Sequence, residues 1–544
     1  MKNQFMHRVA IIGNGPVGQT AALLLARWGV PSVVLDGRPH RDPIGSKAIC
    51  QQRDVLDIWE AASGAGQRIA AEGLTWTTAR TLYRDRELFS YDLVDRGRSH
   101  FPAFVNLSQT RTEQILDEHI LSEDLIDVKW GHEVTGVTQE DNGVSLSCTT
   151  VDGNPATIEA EYVIACAGAR GDAIRNAVGV TFDGESFDDR FLICDIKADL
   201  PGWSNERRFY FDPAWNPGRQ ILIHPCPDST YRIDWQVPGD YDLELEESSG
   251  ALDARIRAVI GDQPYEIVWK SVYRFHSRLV DRMRVGRILL AGDCAHLVSP
   301  FGARGLNSGV TDAENAAWKL AFVLNGWAPE ALLDTYHDER HAAALENIHV
   351  TTDTMNFLVP RDDDRRRKRA ETLDAAVVDP GMSSEVDSGR LAEPFWYTDS
   401  PLTTADSRRP FGGRPLRGTV PPAGPGVLVP DVPVSVGNSL HSRLRELARD
   451  GFLVLVAPGN EFAPVREAAV TAVTAPVRVL ETSELDVCDA LRDALDLRPG
   501  DVWVIRPDAH VAAVLDRPET AEVVAALRRA VHHSTVDHVA PLAN

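Results

Sequence analysis

Gly13-Asn14-Gly15-Pro16-Val17-Gly18 carries glycine at its first, third and sixth positions. This spacing lets a backbone close around a pyrophosphate. Gly13 permits a tight turn. Gly15 lets the phosphates approach the backbone at the positive end of a following helix, and Gly18 lets that helix pack on the preceding strand. Asp36, 18 residues beyond Gly18, can accept hydrogen bonds from a ribose diol. A glycine-rich turn without a ligand is the plain alternative. Strand, turn, helix and acid agree in one unit, which favours a dinucleotide site. A second segment refines the ligand. Gly292-Asp293 follows a buried run, and Ser299 to Gly309 forms another glycine-rich loop that opens a helix. A nicotinamide site does not need this element, but a flavin site does. Asp293 can bind a ribityl chain, and a helix N-terminus near Gly305 can stabilise negative charge on a reduced ring. Taken alone, Asp293 reads equally well as a helix-capping acid.

The elements that must position these residues are legible in outline. Arg8 to Ile12 reads as a buried strand, Gln19 to Trp28 as a helix and Val30 to Leu35 as a second strand: one βαβ unit of a parallel sheet. Thr112 to Leu121 reads as a helix, and Tyr162 to Ala167 and Ile288 to Ala291 as buried strands. Residues 190–275, rich in aromatic and β-branched side chains, read mostly as an antiparallel sheet. Ser308 to Asn325 and a stretch to about Phe357 read as helices. The charge run Arg361 to Arg369 reads as a solvated helix start or loop, with a binding patch as the minor alternative. Ser400 to Gly437 is dense in proline and glycine and reads as a linker. Four strands and interleaved helices follow, with a hairpin turn at Pro507 to His510. That last unit is large enough for its own core.

Composition narrows the function classes. The 544 residues call for two to four domains. With 56 Lys and Arg against 79 Asp and Glu, the net charge is −23, so a nucleic-acid partner is not expected. No apolar stretch approaches the ~20 residues that cross a bilayer, and no signal peptide is visible, so neither a membrane nor export is expected. The seven cysteines are scattered and show no CxxC spacing. This pattern fits a reducing cytoplasm and offers no zinc site or other metal site.

GNGPVG, AGDCAHLVSPFGARGLNSG and DAENAAWKLAFVL together resemble the single-component flavoprotein aromatic hydroxylases. The resemblance is closest to phenol hydroxylases and 3-(3-hydroxyphenyl)propionate hydroxylases, and covers about residues 7–360. Val502 to Ala513 is similar to the thioredoxin-like tail of the larger members. The tail lacks a cysteine pair, so a scaffold or dimer-supporting role is preferred and a homodimer is the assembly considered. The implied fold is α/β: a Rossmann-like FAD-binding domain (1–185 and 276–360), an antiparallel-sheet substrate domain (186–275), a helical extension and linker (361–436) and a thioredoxin-like domain (437–544).

The resemblance also implies site residues. Gln109 matches a glutamine that contacts FAD, Gly37 and Arg38 lie near the adenosine ribose, and Lys47 and Ala48 lie against the cofactor. Val134 faces adenine through its backbone. Pro300 and the amides of Gly305, Leu306 and Asn307 run along the flavin ring. Tyr273 matches a tyrosine that faces the substrate; a packed strand tyrosine is the alternative. Two departures stand out. Where the family has GADG, this chain has Gly168-Ala169-Arg170-Gly171-Asp172, which leaves NADH against NADPH open. Where phenol hydroxylases carry a substrate-facing Asp, this chain has Ala48 or Ile49. His224 is then a candidate for the proton transfer, against the plain reading of a core or surface histidine. The implied reaction is reduction of FAD by NADH or NADPH, uptake of O2 as a C4a-hydroperoxide and oxygen transfer to a small aromatic substrate. Epoxidation or Baeyer–Villiger oxidation of a polyketide-type substrate, and flavin binding without oxygenation, are the alternatives.

Overall fold

The computed structural model describes residues 7–43, 48–93, 99–413, 421–437 and 439–533. Lys47 lies outside them. The first sheet has six strands in the order Arg284–Val285, Ile288–Leu290, Tyr162–Ala165, Val9–Ile12, Ser32–Asp36 and Ile126–Trp130. All neighbours are parallel except the first pair. Val9–Ile12 and Tyr162–Ala165 are buried at every position, as a sheet covered on both faces requires. The Pro16–Arg27 helix leaves the central strand through the Gly13–Gly15 turn and packs against the Arg304–Leu324 helix. This arrangement brings the two glycine-rich loops together at the C-terminal ends of the parallel strands.

The second large sheet has eight strands and differs from the expectation in two ways. Strands Phe182–Ala198 and Tyr265–Val280 run 17 and 16 residues, so the sheet begins before 186 and ends after 275. Thr78–Tyr83 and Arg86–Asp92 also join it, although their sequence lies inside the first domain's range. Glu206–Phe211 pairs with Thr78–Tyr83 in parallel, so the sheet is mixed rather than antiparallel throughout. Thr78–Tyr83 and Arg86–Asp92 form a local antiparallel hairpin, but the parallel pairing that carries it into this sheet leaves no local mark in sequence, because parallel partners can be far apart along the chain. One face packs Ile221, Ile223, Ile233 and Trp235 under Leu252, Ile256 and Ile260 of the Ala251–Ile260 helix.

The C-terminal sheet has the order Val477–Glu481, Phe452–Val456, Asp501–Ile505 and Val511–Asp516, with only the first pair parallel. The expected linker is not a free tether. Ala423, Leu428, Val429, Val432 and Val434 are buried in this unit's core, and Gly426 N donates to Val511 O at 2.7 Å. Proline and glycine there shape a packed irregular segment, because the apolar residues between them have a core to enter. Among the described residues, no helix is long and apolar enough to cross a membrane.

Candidate active site

One cavity of about 820 Å³ joins the Gly13–Val17 turn, Asp36–Arg38, Asp293, the Pro300–Leu306 loop and the free face of the mixed sheet. Gly13 has φ +105°, and a Cβ there would stand 2.3 Å from Cys166 O. Nothing lies within 4 Å of the Cβ direction of Gly15, so its backbone is open to a ligand. The Pro16–Arg27 helix has no side-chain cap, so its first N–H groups are available for an anion. Gly18 does not line the cavity. A Cβ there would meet Gly13 O at 2.0 Å, consistent with the close packing expected of it.

Asp36 accepts from Asn14 N and Arg38 N, both at 2.9 Å, and from Arg38 Nε at 3.0 Å and Nη2 at 2.9 Å. Burial opposes its ionisation, but Arg38 and the two backbone donors outweigh this and hold the carboxyl below its usual range. Four accepted bonds fill the carboxylate. A ribose diol therefore meets Arg38 first, or displaces it. Ala48 N donates to Gln109 Oε1 at 3.1 Å and Gln109 N to Ala48 O at 3.0 Å, which ties two expected cofactor residues together at the wall. Gly37, Val134, Pro300, Gly305 and Leu306 also line the cavity.

The Arg304–Leu324 helix starts at the cavity from Ala303, which has φ +57° and no side-chain cap. Asn307 is not at the wall. Its side chain accepts from Gln52 N at 3.0 Å and donates to Cys50 O at 3.0 Å and Ala303 O at 2.6 Å, clamping the helix start to the Cys50–Gln52 strand. Gly292 likewise stands behind the wall. Its N–H donates to Asp312 Oδ2 at 2.9 Å, and that carboxylate also binds His296 Nε2 at 2.7 Å and Arg340 Nε at 2.7 Å. Buried Asp312 thus fixes the turn that presents Asp293 to the cavity. The open backbone at Gly15, two uncapped helix starts and an acid between them fit a flavin dinucleotide.

A family model described as an FAD binding domain matches residues 6–351. The chain belongs to this FAD-binding-domain family. A flavin-dependent monooxygenase of Mycobacteroides abscessus is 34% identical over 369 residues, 63% of this chain and 73% of that protein. A 3-(3-hydroxy-phenyl)propionate/3-hydroxycinnamic acid hydroxylase of Mycolicibacterium gilvum is 27% identical over 558 residues, 98% of this chain and 93% of that one. The corresponding hydroxylase of Mycobacterium sp. strain JLS is matched over 65% of its length. The solved structure of the flavin-dependent monooxygenase PieE with FAD and substrate superposes with TM-score 0.84 at 23% identity, over 97% of this chain and 99% of that one. Aklavinone-11 hydroxylase superposes with TM-score 0.77 at 22% identity over the same shares. At these identities the solved structures speak to fold. Family and relatives together make the chain a flavin-dependent monooxygenase.

In this FAD-binding-domain protein the sheet side of the cavity departs from expectation. Tyr273 is not at the wall. It stands opposite Phe191 in register, with its ring 6.4 Å from that of Trp269. Residues 273 and 275 share one face of the strand, and Phe275 is the one near the Pro300–Leu306 loop. Its ring stacks on Phe191 at 4.5 Å and lies 6.2 Å from Phe301. Ala48 and Ile49 both line the cavity, so the position of the family's acid is apolar. Arg170 is exposed at the rim. Asp172 is not at the wall and accepts from Arg175 Nη2 at 2.6 Å.

His224 does reach the cavity, and it has company that sequence reasoning missed. Arg207, Arg232 and Asp234 line the same wall. His224 stands opposite Arg232 in register and Leu222 opposite Asp234, which puts all of them on one face. Arg232 binds Asp195 at 2.8 and 2.9 Å. His224 Nδ1 and Asp234 Oδ1 are buried atoms without a hydrogen-bond partner in this structure. Burial, with Arg207 and Arg232, pushes His224 well below its usual range, so the ring is neutral. The overlooked signal was Arg232-Ile233-Asp234-Trp235-Gln236, where polar residues alternate with apolar ones in a strand flanked by buried neighbours.

Proposed function

We propose that the protein hydroxylates a phenolic or similarly electron-rich aromatic substrate, with NADH or NADPH as reductant and O2 as oxidant. The observation that carries this reading is the single cavity. It connects the dinucleotide-type turn, the uncapped Arg304–Leu324 helix and a sheet face with both aromatic and ionisable groups. FAD, when bound, supplies the redox chemistry that activates O2. The chain supplies the rest. Gly13, Gly15 and the Pro16–Arg27 helix hold the pyrophosphate, and Asp293 and the Gly305–Leu306 amides orient the cofactor. Phe191, Phe275 and Phe301 form an aromatic wall that packs a planar ring and excludes water. The polar groups deeper on the sheet receive a substrate hydroxyl.

We read the architecture as a Rossmann-like cofactor unit, a substrate sheet and a thioredoxin-like C-terminal unit, the last supported by its strand order and directions. The free cysteines support a cytoplasmic setting. A fused-ring, polyketide-type substrate is the second reading. It is supported by structural likeness to aklavinone-11 hydroxylase and to the rebeccamycin biosynthetic enzyme RebC over 97% of the chain. The test is turnover of the FAD-loaded protein with either nicotinamide under 18O2 across simple phenols and fused-ring phenols. One labelled oxygen in the product is expected, and the accepted ring size separates the two readings. Nicotinamide oxidation that yields only hydrogen peroxide with every aromatic tried would overturn both.

A further inference from the structure

The strand pair Gln220–Cys226 and Thr230–Val237 carries a polar patch that cofactor binding does not use. Asp234 lines the cavity and is half-buried. Its Oδ1 has no hydrogen-bond partner in the structure. Leu222 and Ile193 stand opposite it on the two neighbouring strands, so no cross-strand residue pairs with it. His224 lies diagonally across the strand pair, with Nδ1 also unpartnered. Arg232, one step along the same face, is occupied by Asp195 at 2.8 and 2.9 Å. Arg207 donates to Ser388 O at 3.4 Å and completes the cationic side. Opposite the sheet, Phe301 and Leu391 are apolar, and the Arg304 guanidinium is engaged by Asn347 at 2.6 Å. Nearby Cys226 is pushed up to about 12, chiefly by burial, and stays a neutral thiol. Asp234 and His224 both line the cavity from one face of the sheet, where a polar group of a ligand would meet them in a largely desolvated setting.

We propose that Asp234, with His224 beside it, takes the proton of the substrate's aromatic hydroxyl, so that the site selects a neutral phenol and holds it as phenolate. The inference rests on the aromatic-hydroxyl reading above and names its proton acceptor. The phenol O–H bond breaks, an O–H bond forms at the Asp234 carboxylate, and the electron pair stays on the phenolate oxygen. No electron leaves the substrate in this step. Arg207 and Arg232 supply positive charge beside the new anion, and neutral His224 adds a hydrogen bond without competing for the proton. Burial pushes the Asp234 carboxyl up to about 7, with Asp195 adding to this and Arg232 and Arg207 opposing it. A carboxylate so placed is basic enough to accept a proton near neutral pH.

The test uses the FAD-loaded, oxidised protein and 4-hydroxyacetophenone, whose neutral and ionised forms absorb differently in the near ultraviolet. Mixing in weak buffer just above pH 7 is followed by the phenolate band and by a pH indicator. In wild type the phenolate band should appear without release of an equivalent proton to the buffer, because the proton stays on the protein. In Asp234→Asn, with FAD content unchanged, the bound probe should stay neutral or release its proton to the buffer. Hydroxylation should fall by ~10²-fold or more, and Asp234→Glu should recover part of it. Wild-type ionisation that releases one proton per bound probe overturns the Asp234 assignment, even if turnover is normal and the site reading stands. Wild-type binding of the probe as neutral phenol also overturns the assignment. Failure of the wild type to bind any phenol overturns the site reading and the assignment together.

Discussion

Removing the charge of Glu339 tests how the C-terminal unit is held. Glu339, on the Asp334–Leu358 helix, accepts from Arg506 Nη1 at 2.5 Å and Nη2 at 3.0 Å, Lys319 Nζ at 2.7 Å, Asn315 Nδ2 at 2.8 Å and Ser400 Oγ at 2.6 Å. Arg506 belongs to the C-terminal unit and also binds Asp508 Oδ2 at 2.5 Å. Two carboxylates and two cations therefore balance in a buried cluster that joins the helices behind the flavin loop to the C-terminal hairpin. Burial opposes the Glu339 charge, but Arg506 and Lys319 outweigh it and hold the carboxyl far below its usual range. Burial lowers Lys319 to about 8 despite Glu339. Glu339→Gln keeps the shape, leaves one uncompensated positive charge and turns an amide N–H2 toward existing donors. Breaking a buried pair from one side costs about 3–5 kcal/mol. The lower end is expected, because Lys319 can shed its proton. The assay is urea unfolding with hydrogen exchange read on Asp501–Ile505. The transition of that strand should move down by this amount. Glu339→Gln with Lys319→Met should recover much of the loss, because the remaining Arg506 and Asp508 balance. A shift below ~1 kcal/mol in the single variant, or no recovery in the double, would refute charge-balanced docking.

Gly13→Ala should abolish FAD retention, because φ is +105° and the new Cβ would sit 2.3 Å from Cys166 O; flavin absorbance after desalting measures this, and full retention would contradict the turn's role. Asp234→Asn should stabilise the protein relative to wild type as pH rises. The native carboxyl is raised from 3.8 to about 7, so the native state binds more protons than the unfolded chain between those values. Wild-type stability from this group is full below about 4 and falls as pH climbs to 7, by a few kcal/mol at most. Denaturant midpoints of both proteins at pH 5 and pH 8 check the sign. One thiol should react quickly in the native protein: Cys488 is exposed, whereas the other six cysteines are buried. Cys488→Ser should remove that reaction and leave turnover unchanged, as a tail without a cysteine pair implies; a folded variant with severely reduced turnover would overturn this.

The sequence alone determined the local units. The Gly13–Gly18 turn, the acids at Asp36 and Asp293 and the loop before Arg304 were legible as candidates because each is a feature of a short stretch: a turn, a helix start, an acid at a strand end. The four C-terminal strands were legible from their short apolar runs. Tertiary structure decided the rest. The recruitment of Thr78–Asp92 into the mixed sheet depends on pairing at long range. The choice of Phe275 over Tyr273 depends on which of two same-face residues lies near the Phe301 loop. The cluster of Arg207, His224, Arg232 and Asp234 draws on three strands whose register alone puts these side chains on one face. The Asp36–Arg38 pair shows the same limit at short range: the sequence supplies an acceptor, but only the fold shows that its lone pairs are already engaged. Backbone geometry is encoded by neighbours in sequence, whereas charge and proton affinity are set by whatever burial and register bring within a few ångströms.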